Sequence, residues 1–183
     1  MNRRTLSYEE ASRSLAEKTD EELVDVLDGP SRVLCQTAAH LLRRRRRFDL
    51  VVGALKERKL TTRDGKVCAL NLLLGRGRGL PEAFPIYLQY AGDRSAGAVS
   101  CALLGLVLWQ DDSVVPLLES LSASTHSELI RKAIDALKCH DPKRFSSGDF
   151  DYLGHWKKPG AKIFQNPGAL LAGLFRSRLT KNG

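Results

Sequence analysis

Aromatic residues make up only 7% of the chain, and there is a single methionine. A core built around large rings or flexible thioethers is therefore excluded, and the recurrent Leu and Ala point to close-packed helices. No apolar run approaches the length needed to cross a bilayer. The longest, Cys101–Trp109, is nine residues. The first residues, Met1 to Ser7, contain no apolar stretch of the kind a secretion signal carries. These absences predict a soluble, cytoplasmic protein with no membrane partner. The four cysteines include no pair at the two-to-four-residue spacing of a zinc ligand set. The sequence also contains no His-Glu-x-x-His, no Gly-x-Ser-x-Gly and no phosphate-loop motif. No spacing supports a nucleophile and its base, so neither an enzyme nor a small-molecule substrate, cofactor or metal is expected.

What is present is ordinary globular material of 183 residues, 43% hydrophobic and 27% charged, with a formal net charge of +8. That charge is uneven. Residues 1–29 hold eight acids against four bases, a net of −4. Residues 30–154 and residues 155–183 each carry +6, and the last of these has no acid at all. A basic middle and tail fit anionic partners: an acidic protein surface, or nucleic acid.

The cysteines disclose a period. Cys35, Cys68 and Cys101 are 33 residues apart, as are Leu55, Leu88 and Leu121. Val51, Phe84 and Leu117 share one phase, Val52, Pro85 and Leu118 the next, and Leu41, Leu74 and Val107 another. A fourth copy is partial, with Ile134 in the cysteine column and Leu137 matching Leu104. Fixed-period self-similarity of this kind marks a repeat architecture. Each unit reads as a first apolar helix (about 32–44, 65–75, 95–109 and 127–138), a polar turn, and a second helix (about 48–57, 81–91 and 113–122). Leu50, Val51, Ala54 and Leu55 fall on one face of a 3.6-residue helix, as do Val114, Leu117, Leu118 and Leu121. Ser7 with Glu10, Thr19 with Glu22, and Thr125 with Glu128 have the spacing of capping boxes. The first two predict short helices ahead of the repeats, and the third a helix carrying Ile130 and Leu137. Gly29-Pro30 should end the second short helix, and Asp112 should cap the helix that carries Val114.

The paired amphipathic helices over about residues 31–140 resemble the HEAT-like repeat class. The Ala/Leu first helices (Ala38-Ala39-His40-Leu41-Leu42 and Cys101-Ala102-Leu103-Leu104) and the second helix Val114-Val115-Pro116-Leu117-Leu118 carry the resemblance. It implies an all-α fold, a right-handed α-solenoid of about four two-helix units. Ankyrin-like repeats are the alternative, since they also run near 33 residues, although their Thr-Pro-Leu-His signature is absent. The resulting organisation is a helical N-terminal cap (1–29), the repeat array (30–154), and a basic C-terminal extension (155–183). In that extension Asn166-Pro167 should open a short helix with Leu170, Leu171, Leu174 and Phe175 on one face.

The most distinctive local feature is the run Arg43, Arg44, Arg45, Arg46 and Arg47 at the end of one first helix. Arg43 aligns with Arg76 and Arg45 with Arg78 at the 33-residue period. In stacked units aligned positions lie side by side, so these arginines should form a basic ridge for an anionic partner. Unit three ends it with Trp109 and Asp111. A short ridge fits an acidic protein surface, as in an adaptor, an inhibitor or a toxin-immunity protein. Nucleic acid, held through its phosphates, is the alternative partner. Cys139, His140 and Asp141, with His155 downstream, are the only local cluster of metal-capable side chains, and neighbours at a helix end point apart, so a metal is not expected there.

Overall fold

A computed structural model describes residues 6–74, 76 and 79–146. The C-terminal extension, with its expected helix after Pro167, lies outside the described residues. Among the described residues the regular structure is entirely helical, without strands. The helices are α1 (Tyr8–Leu15), α2 (Asp20–Leu27), α3 (Arg32–Arg44), α4 (Phe48–Lys56), α5 (Arg63–Leu74), α6 (Ala83–Ala91), α7 (Ala96–Trp109), α8 (Val115–Ser120), α9 (Ser127–Lys138) and α10 (Lys143–Ser146). A 3-10 turn, Asp112–Val114, leads into α8. None of these helices is long and apolar enough to cross a membrane.

Local chemistry sets the helix ends. In α1 the Ser7 hydroxyl accepts the Glu10 N–H, while the Glu10 carboxylate accepts the Ser7 N–H at 2.8 Å. Thr19 and Glu22 repeat this box at α2. Both boxes satisfy amides that a helix start otherwise leaves bare. The third expected box does not form. The turn before α9 folds so that Ser124 accepts the His126 N–H, and His126 takes the N-cap position with no side-chain capping bond, its Nε2 lying 3.3 Å from the Arg94 carbonyl oxygen. Asp111, rather than Asp112, caps the 3-10 turn, accepting the Ser113 N–H at 3.0 Å.

Three helices end in the same way. After α3, Arg46 donates its N–H to the Arg43 carbonyl and Arg47 donates to Leu42. Arg58 and Lys59 repeat the pattern after α4, and His140 and Asp141 after α9. This paired closure requires a left-handed residue, usually glycine. Here Arg46, Arg58 and His140 fill it, at φ of 60°, 53° and 50°.

The odd-numbered helices pack in series, α1 on α3, α3 on α5, α5 on α7 and α7 on α9. On the other side α2 packs on α4 and α4 on α6. Cross-packing of α2 with α3, α4 with α5, α6 with α7 and α8 with α9 joins the two rows around one continuous core. The cysteine column runs inside it: Cys35, Cys68 and Cys101 are all buried. The columns of the second helices drift. Val51 is buried, but Phe84 is only half-buried and Leu117 is 43% exposed. In α6 the buried set is Ala83, Ile86, Tyr87, Tyr90 and Ala91 instead. Tyr87 fixes this rotation, because its ring fills the space over Gly105. A Cβ on Gly105 would lie 2.7 Å from ring atoms.

Turns on one side of the helices are tied across neighbours. Asp28, at the end of α2, accepts the N–H and hydroxyl groups of both Thr61 and Thr62 at 2.6–2.9 Å. Further along, the Lys66 ammonium reaches Asp93 at 2.9 Å.

Candidate protein-docking edge

The arginine run sits where α3 turns into α4. Helix α3 presents its carbonyl end there, which favours positive charge. The backbone closure at Arg46 then sends successive side chains in different directions, and the run divides into two groups.

Arg45 and Arg47 turn inward along the chain, toward α1 and α2. Arg45 donates to the carbonyls of Ala16 at 2.8 Å and Lys18 at 2.7 Å, and to the Asp20 carboxylate at 2.9 Å. It thus occupies acceptors at the end of α1 and the loop beyond it. Arg47 pairs with the other Asp20 oxygen and holds Asp49 through two bonds of 3.2 Å. The Arg45 hydrogen bond, reinforced by Arg47 against a smaller desolvation effect, holds the Asp20 carboxyl below its ordinary pKa. Asp20 was not singled out by the sequence, since its 25-residue separation from Arg45 matches no period.

Arg43, Arg44 and Arg46 are exposed, and their side chains form no ion pair or hydrogen bond among the described residues. Arg76 is also exposed and lies over the Phe48 ring, 5.0 Å from its centroid. The stacked guanidinium keeps its outer N–H groups directed at solvent while its face is desolvated. Phe48 is the first residue of α4, two positions after Arg46, so Arg76 reaches the α3–α4 turn. Arg78, with Gly75 and Gly77, lies outside the described residues. At the α7–α8 turn the same edge carries acid: Asp112 pairs with His140 at 3.4 Å.

Beside the arginines, His40 lies one turn back on α3. Burial, with Arg44 and Arg43 adding repulsion, pushes its pKa below the ordinary imidazole value. Tyr8 of α1 meets it edge-on, with ring centroids 6.2 Å apart.

Cys35, Cys68 and Cys101 have protected surroundings. All four cysteines are free thiols; Cys139 is exposed. The Cys35 thiol donates toward the carbonyls of Gly29 at 3.3 Å and Val26 at 3.7 Å. Burial, together with nearby Asp64, pushes its pKa up to about 11. Among the described residues no three metal-ligating side chains gather.

Comparison of the chain with protein-family models, curated proteins and solved structures finds no match.

Proposed function

We propose that this chain is a non-enzymatic binding protein, a right-handed solenoid of HEAT-like two-helix units that docks an acidic protein through the α3–α4 corner. The observation that carries this reading is the division of the arginine run. Two arginines hold α1 and α2 in place, and three more, with Arg76 beside them, face solvent without a counter-charge. A cluster of four unpaired guanidiniums accelerates encounter with an acidic surface and restricts which surfaces can dock. Arginine also suits bidentate contact with carboxylates. The patch is short, because Asp111 and Asp112 follow on the next turn of that edge. A compact patch matches a protein epitope better than a long backbone of phosphates. Roles as adaptor, inhibitor or immunity protein are compatible with such a patch, by analogy of fold.

The test is affinity capture with mass spectrometry, comparing the full chain with an Arg43→Glu/Arg44→Glu/Arg46→Glu variant. The expected result is an acidic protein recovered only by the unaltered chain. Its association rate should fall with added salt and with the variant, while dissociation changes little. Duplex nucleic acid should bind only in the non-specific range, about 10⁻⁴–10⁻⁶ M at physiological salt. Tight duplex binding abolished by the same triple variant would overturn the reading in favour of phosphate recognition.

A further inference from the structure

Exposed large apolar side chains are rare among the described residues: Leu6 at 39%, Tyr8 at 41% and Leu117 at 43%. Two of the three belong to one place, the start of α1. Tyr8 there abuts His40 edge-on, and His40 shares its face of α3 with Arg43 and Arg44, three and four residues on. The result is a small aromatic and apolar surface bordered by two unpaired guanidiniums. Tyrosine and arginine together are the residue types that dominate binding energy at protein interfaces. The His40 ring, edge-on to Tyr8, extends the aromatic surface. Glu10, close by on α1, accepts the Ser7 N–H through one carboxylate oxygen.

We propose that Leu6, Tyr8 and His40 form the anchoring surface for an apolar side chain of the acidic partner, with Arg43 and Arg44 taking the carboxylates that flank it. This rests on the acidic-protein reading above and adds the partner's chemistry to it: a segment in which an apolar residue is set among acids. Tyr8 supplies a rigid face with a hydroxyl at its rim, and burial of Tyr8 and Leu6 removes exposed apolar area from water. The guanidiniums fix the position of the segment by charge. An apolar peptide would leave Arg43 and Arg44 unpaired, and a purely acidic one would leave the aromatic surface wet.

The experiment uses the full chain and two synthetic peptides, one with two leucines flanked on both sides by glutamates, the other with alanines in their place. Binding is followed by calorimetry and by chemical-shift changes at Tyr8 and His40. The leucine peptide is expected to bind at least about fivefold more tightly than the alanine peptide. That advantage should vanish in Tyr8→Ser and in Leu6→Ser. Both substitutions are at exposed sites, and a thermal melt confirms that each variant is folded. Arg43→Ala/Arg44→Ala should weaken both peptides alike. Equal affinity for the two peptides, unaffected by Tyr8→Ser, would overturn the anchor while leaving the acidic-partner reading intact. Failure of both peptides together with tight duplex binding would overturn both.

Discussion

The Tyr87 side chain is almost wholly buried, and its hydroxyl finds no hydrogen-bond partner. Burial, with Cys101 nearby, pushes its pKa up, so the group stays neutral. A buried hydroxyl without a partner forfeits its hydration and receives nothing in return. Tyr87→Phe keeps the ring that fills the space over Gly105 and removes only the stranded oxygen. It should leave stability unchanged or raise it by about 1 kcal/mol, read from urea unfolding. A loss of that size would show that the hydroxyl is satisfied in solution. Arg46 poses a related question in the backbone. A left-handed conformation is strained for a residue with a Cβ, by about 1–2 kcal/mol. Arg46→Gly should therefore raise the unfolding midpoint, and Arg58→Gly, in the same geometry outside the arginine run, should do likewise. No gain in either variant would mean the neighbouring contacts fully relieve the strain. At Arg46 the same turn leaves its guanidinium exposed while the next side chain, Arg47, reaches Asp20.

Between helices, single carboxylates do the tying. Burial pushes the Asp28 pKa up, but the four bonds from Thr61 and Thr62 together push it further down, and the net effect is a lowered value. A carboxylate with a folded pKa below its unfolded value of about 3.9 stabilises the fold above that pH. The contribution disappears as pH falls through the folded pKa. Asp28→Asn should therefore be less stable than the natural chain at neutral pH, and the gap should close as melts are taken below about pH 4. A gap that stays constant with pH would mean the amide loses shape rather than charge. The helices themselves were legible in the sequence, because amphipathic spacing and two of the three capping boxes depend only on residues a few positions apart. The period aligned Arg43 with Arg76, and Arg76 lies over Phe48 at the start of α4. The rotation of α6 was not legible. It depends on Tyr87 meeting Gly105 on the next helix, and neither residue repeats at 33. The pairing of Asp20 with Arg45 and Arg47 was equally hidden, since charge counts give a sum for a segment and say nothing of which acid meets which base. Nothing in the sequence set Tyr8 against His40, a contact made only when α1 folds onto α3.

Across the whole molecule, the principal packing contacts join helices no more than three places apart along the chain. No substantial surface closes α1 onto α9. A structure wired in this way behaves like a stack of coupled springs rather than a sealed sphere. Damage at one end should not be felt at the other. Leu23 and Leu137 are both buried, on α2 and α9. Leu23→Ala and Leu137→Ala should each cost about 2–5 kcal/mol. Combined, the two losses should sum to within about 0.5 kcal/mol. An excess well beyond that would reveal a long-range coupling between the ends. The same wiring governs how the chain gives way. The end helices open without dismantling α5 and α7, so amide exchange should be fastest at α1 and α9 and slowest in the middle. The proposed anchoring surface lies at the α1 end, and a partner bound there would be felt first as slowed exchange in α1.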